Sequence, residues 1–118
     1  MIIEDEEENR EILAIHLRRA GYQVIETMNG KQAKEEMDGC DEQSPVNLII
    51  TDIRMPEVNG VEVVDYVNKN FPDIPVVVVT GFADNELSDQ LVEKGVKSVL
   101  VKPVEKNSLL KVVAKAMA

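Results

Sequence analysis

Leu48-Ile49-Ile50-Thr51-Asp52 decides the fold: four residues without a charge, closing on a carboxylate. A strand with one wet face alternates apolar and polar residues, whereas a strand covered on both faces is apolar throughout, as in parallel sheets. Leu48 to Thr51 therefore reads as a buried strand with Asp52 just beyond its end. Working outward, Val76 to Val79 repeats the pattern before Thr80, Val99 to Val101 before Lys102-Pro103, and Ile2-Ile3 before Glu4-Asp5. Tyr22 to Ile25 supplies the fifth apolar run.

Helical spacing fills the intervals. Ile12, Leu13, Leu17 and Ala20 form one stripe, and Gly21 is placed to end that helix. Lys31 to Met37 is a weaker helix, followed by the longest loop, Asp38 to Val46. Val61, Val64 and Val67 follow Gly60; Ala83, Leu87 and Leu91 stop before Gly95; Leu109, Leu110, Val113 and Met117 give the last helix one buried face. The order βαβαβαβαβα, without a linker or repeat, predicts a doubly wound α/β sandwich around a five-stranded parallel sheet.

Composition narrows the function. The 118 residues carry a net charge of −9, which argues against a nucleic-acid grip, since phosphate contacts need a basic patch. Aromatic residues are 3% with no Trp, so the core is built from Val, Ile, Leu, Met and Ala. A single Cys, Cys40, cannot form an internal disulfide. No apolar run is long enough to span a bilayer and the N-terminus does not read as a signal peptide, so a cytoplasmic location is the expectation.

The polar residues gather where the strands run out: Glu4-Asp5, Asp52, Thr80 and Lys102. In open α/β sheets, ligands bind beyond the carboxyl ends of the strands, at the point where the strand order reverses. Crowded carboxylates repel unless a cation or proton intervenes, and a few hard oxygen donors with room for water suit Mg²⁺. Asp52 then stands as a nucleophile for a phosphoryl group, with Lys102 and Thr80 to meet the remaining phosphoryl oxygens. Taken singly, each has a plainer reading: Glu4 to Glu8 an acidic helix start, Asp52 a turn residue, Thr80-Gly81 and Lys102-Pro103 loop starts. Joint placement at the ends of separate strands favours the site.

The segment Leu48 to Gly60, with Asp52-Ile53-Arg54-Met55-Pro56 at its centre, closely resembles the phosphoacceptor strand and turn of response regulator receiver domains. Pro75 to Gly81, Leu100 to Pro103 and Glu4-Asp5-Glu6 match the family's other signatures, so the resemblance runs over residues 1–118, a single receiver domain. It implies a flavodoxin-like sheet of order 2-1-3-4-5 with five helices. It also implies phosphorylation of Asp52 by a sensor histidine kinase or histidine phosphotransfer protein. Mg²⁺ is expected on Asp5, Asp52, the backbone carbonyl of Arg54 and Glu4, the last directly or through water. Thr80 and Lys102 are expected on the phosphoryl group, and the Lys102–Pro103 bond is expected to be cis.

By this resemblance the chain is a switch rather than an enzyme, assisting only its own phosphoryl transfer and dephosphorylation, either alone or within a larger regulator or hybrid kinase. The other readings are an unphosphorylated binding module and an Asp-nucleophile phosphohydrolase; the latter expects an acid where Arg54 stands. Two departures from the family stand out. Glu4 replaces the more frequent Asp, and Val99 occupies a position often aromatic, so the signal is expected to leave through the loop after Thr80 and the fourth helix. Phe82, beside the pocket, is a candidate for slowing loss of the phosphoryl group to water. Lys106, Lys111 and Lys115 on the last helix, against Asp84, Glu86, Asp89 and Glu93 on the fourth, read first as solvated faces, with a homodimer through these helices as the other reading. His16 reads as a packing residue.

Overall fold

A computed structural model describes residues 1–39, 46–53, 60–81 and 85–117. Five strands, β1 (Ile2–Ile3), β2 (Glu26–Thr27), β3 (Ile49–Asp52), β4 (Val76–Thr80) and β5 (Ser98–Val101), alternate with five helices, α1 (Glu7–Arg19), α2 (Gly30–Asp38), α3 (Gly60–Asn70), α4 (Asn85–Glu93) and α5 (Lys106–Ala116). All pairings are parallel and the sheet order is β2-β1-β3-β4-β5. The chain crosses from β2 over β1 to β3, so the order reverses between β1 and β3. That is where a crevice opens at the strands' carboxyl ends.

The unbroken apolar runs are explained by two cores. Alternate side chains of a strand point to opposite faces, and here both faces are covered. Ile3, Ile49, Val76 and Val78 pack with Ala33 and Met37 of α2, Val63, Val64 and Val67 of α3, and Leu91 of α4. Ile2, Ile50, Val77 and Val79 face the other way, onto Leu13, Ala14 and Leu17 of α1 and Leu109 and Val113 of α5.

Helix ends follow local chemistry. The Asn29 side chain accepts from the Gln32 N–H at 2.8 Å and Gln32 Oε1 accepts from the Met28 N–H at 2.7 Å, a reciprocal cap at the start of α2. Gly21 and Gly95 have φ of +98° and +90°, the left-handed turn after a helix. After α1, the Gly21 and Tyr22 N–H groups donate back to Arg18 and Leu17 carbonyls at 3.0 Å each.

Three expectations change. The second strand is Glu26–Thr27, not Tyr22 to Ile25. β1 offers only Ile2 and Ile3, and their partners in register are Glu26 and Thr27. Tyr22 and Val24 instead pack against the α1/α5 core. On α1, Ile12 is 49% exposed and Ala20 lies outside the core, because successive helical residues point about 100° apart and the sheet meets only the Leu13–Ala14–Leu17 side. On α5, Met117 is exposed while Leu109 and Val113 are buried. Cys40, Ala83 and Asp84 lie outside the described residues.

Candidate functional site

β1, β3, β4 and β5 end side by side, and each delivers one part of the site. Glu4 follows β1 directly; its N–H donates to the Thr27 carbonyl at 3.1 Å, continuing the β1–β2 pairing by one residue. Asp52 is the last residue of β3, in register with Val79, which places Thr80 one step further along the neighbouring strand. Lys102 follows β5, its N–H held by the Thr80 carbonyl at 2.8 Å. The Lys102–Pro103 bond is cis, as the resemblance implied.

Side chains converge across these ends. One carboxylate oxygen from each of Glu4, Asp5 and Asp52 lies within 4.8 Å of the others. The Lys102 ammonium donates to Asp52 Oδ2 at 2.7 Å and to both oxygens of Glu4 at 3.1 Å. Glu4 is 1% exposed, Thr80 2% and Asp52 6%, whereas Asp5 is open to solvent. The pocket is thus a mostly desolvated floor with one wet carboxylate at its lip.

Electrostatics follow from that burial. Desolvation pushes the Glu4 carboxyl up to about 7; the Lys102 hydrogen bond opposes this, and the neighbouring Asp52 charge adds to it. Burial pulls Lys102 down, but its hydrogen bonds to Asp52 and Glu4 and their charges outweigh burial and raise it, so the ammonium stays charged. Among the described residues, one cation, Lys102, thus serves both buried carboxylates.

A family model described as "Response regulator receiver domain" matches residues 1–114. The chain belongs to the response regulator receiver family. This receiver is 31% identical to the response regulator receiver protein CpdR of Brucella abortus, over 99% of this chain and 94% of that one. It is also 31% identical to the response regulator protein PilR of Pseudomonas aeruginosa, where it spans only 25% of the relative's length. A solved response regulator receiver protein from Pseudomonas putida superposes with a TM-score of 0.88 at 26% identity, covering 97% of this chain and 93% of that one.

The receiver fold thus brings together Glu4, Asp5, Asp52 and Lys102, with Thr80 buried on the adjoining strand end. Arg54 and Phe82 lie outside the described residues. The donor set fits the Mg²⁺ used by the family: three hard carboxylate oxygens at one point, one of them wet, leave positions for water. Among the described residues, no helix is long and apolar enough to cross a membrane.

The sequence reading missed one residue that touches this site. Arg10 Nη1 donates to the backbone carbonyl of Glu4 at 3.0 Å. In the sequence it stands as a lone Arg inside the acidic start of α1, flanked by Glu6, Glu7, Glu8 and Glu11, a pattern that reads as a solvated charge.

Proposed function

We propose that residues 1–118 form one receiver domain, a switch in which Asp52 accepts a phosphoryl group from a histidine kinase or histidine phosphotransfer protein. The observation that carries this reading is the 2.7 Å contact between the Lys102 ammonium and Asp52 inside a cluster of three carboxylates. Such a contact sets a positive charge beside the attacking carboxylate, where phosphoryl oxygens arrive.

Transfer breaks the P–N bond of a phosphohistidine and forms a P–O bond to an Asp52 carboxylate oxygen. The electron pair of the broken bond stays with the imidazole, which ends protonated by water. Glu4, Asp5 and Asp52, with the Arg54 backbone carbonyl, would hold Mg²⁺, which supplies charge neutralisation for incoming phosphoryl oxygens. Lys102 keeps its charge against the product, and the Thr80 hydroxyl donates to a further phosphoryl oxygen. These side chains assist the domain's own phosphoryl transfer and loss.

A phosphohydrolase is not favoured, because the position two residues after Asp52 is Arg54 rather than an acid. Pairing of two activated copies belongs to the same proposal. Asp89 and Glu93 on α4 and Lys106, Lys111 and Lys115 on α5 are all exposed and opposite in sign. A cytoplasmic location, with no direct contact to nucleic acid, is the setting in which this chemistry operates.

The test is incubation with Mg²⁺ and acetyl phosphate, read by intact mass. One phosphoryl adduct that hydroxylamine removes, as expected of an acyl phosphate, is the predicted result. An adduct that forms equally in EDTA, or that hydroxylamine leaves in place, contradicts the reading.

A further inference from the structure

Arg10 is the point at which α1, β1 and β2 meet behind the carboxylates. Its Nη1 holds the Glu4 carbonyl at 3.0 Å, while its Nε lies 3.6 Å from Oε1 of Glu26 in β2. The other Glu26 oxygen is engaged at 3.2 Å by Arg18 Nη2. Glu4 follows the end of β1, where a backbone carbonyl no longer has a neighbouring strand to donate to it. Its N–H is taken by Thr27 at 3.1 Å, and its carbonyl by Arg10.

The consequence is geometric. A peptide unit is planar, so a donor that fixes the Glu4 carbonyl also fixes the plane joining Glu4 to Asp5. Asp5 is exposed and has no burial of its own to orient it. A guanidinium suits the task because it is always charged and its planar fork meets carbonyl and carboxylate together. Glu26 restrains that fork, and the Arg10 side chain, 14% exposed, has little freedom to leave.

We propose that Arg10 is a positioning residue for the Mg²⁺ site. Through the Glu4 carbonyl it sets the direction in which Asp5 presents its carboxylate beside Glu4 and Asp52, and Glu26 braces it. The inference rests on the reading above that these three carboxylates hold Mg²⁺.

Calorimetric titration of Mg²⁺ into the metal-free protein tests it, with circular dichroism melts of every variant. Arg10→Met is expected to raise the Mg²⁺ Kd about tenfold, the lower end of what loss of a group that orients metal ligands costs. Arg10→Lys, whose ammonium can still donate to the Glu4 carbonyl, is expected to recover part of that loss. Val113→Ala, a cavity in the α1/α5 core, is expected to lower Tm and leave Kd unchanged.

A wild-type Kd in Arg10→Met, or an equal weakening in Val113→Ala, overturns the inference while leaving the Mg²⁺ site intact. Absence of Mg²⁺ uptake by the wild type overturns the site and the inference together. If Arg10→Met does not fold, Glu26→Met decides, since it removes both the charge and the acceptor of the brace and leaves Arg10 in place. A raised Kd there supports the positioning role, and an unchanged one overturns it.

Discussion

Replacing Lys102 by Met keeps the aliphatic stem and removes the cation that, among the described residues, donates to both Glu4 and Asp52. In the wild type that ammonium makes contacts of 2.7 Å to Asp52 and 3.1 Å to each Glu4 oxygen. Removing one partner of a fully buried ion pair costs roughly 3–5 kcal/mol. Lys102 is 21% exposed, so solvent already screens part of the attraction. Glu4, with its carboxyl at about 7, escapes part of the remaining cost by taking a proton. Together these bring the expected loss in EDTA at pH 8 to about 2 kcal/mol, or roughly 8 °C in Tm for a domain of this size.

The pH dependence has a definite sign. Lys102 is one of the groups that lower the Glu4 pKa, so its removal moves that value further above the unfolded 4.5. A carboxyl whose folded pKa is raised contributes stability that is full below the unfolded value and lost as pH rises through the folded one. The Lys102→Met deficit should therefore be larger at pH 8 than at pH 5. Chemical denaturation at both pH values measures it. A variant as stable as the wild type at pH 8, or a deficit equal at both, would refute the argument that Lys102 neutralises a buried carboxylate pair.

Three further outcomes follow from the packing and the local electrostatics. Leu109→Ala empties a fully buried position beneath the sheet and should cost about 3 kcal/mol in urea denaturation; a loss below about 1 kcal/mol would mean that α5 is not part of the core. Gly21→Ala should cost roughly 1–2 kcal/mol, because φ is +98° while the space around an added Cβ is open, so the penalty is conformational; a neutral change would contradict the left-handed turn. The hydrogen bond that Tyr66 donates to Asp38, with burial and the Asp38 charge adding, raises the phenol above 10.0. Its contribution is present below pH 10 and lost as pH rises through the folded value, and in an absorbance titration Asp38→Asn should bring the midpoint down; an unmoved midpoint would contradict the contact.

Much of the fold was legible because burial on both faces leaves a plain mark. Apart from Thr51 and the terminal Asp52 and Thr80, β3 and β4 are built of Ile and Val; β3 shifts by one residue at each end, and β4 gains only Thr80. β2 was not legible for the same physical reason reversed. It is an edge strand, its two residues are Glu and Thr, and what makes it a strand is pairing with Ile2 and Ile3, a long-range fact that periodicity does not carry. Ile12 misled because it neighbours Leu13 in sequence while lying on another side of α1.

At the site, residue types at strand ends announced the carboxylates, the hydroxyl and the amine. They did not announce that Lys102 lies across Glu4 and Asp52, since that depends on how far β5 carries its last residue. Arg10 was hidden because an Arg in an acidic helix start reads as a solvated charge. Its role depends on reaching back to a backbone carbonyl, which has no sequence signature.

The most direct test of the central claim compares wild type and Asp52→Asn after incubation with Mg²⁺ and acetyl phosphate. Intact mass and peptide mapping should find one phosphoryl group on the peptide containing Asp52 in the wild type and none in the variant. An undiminished adduct on Asp52→Asn, or a wild-type adduct mapped elsewhere, would contradict the account.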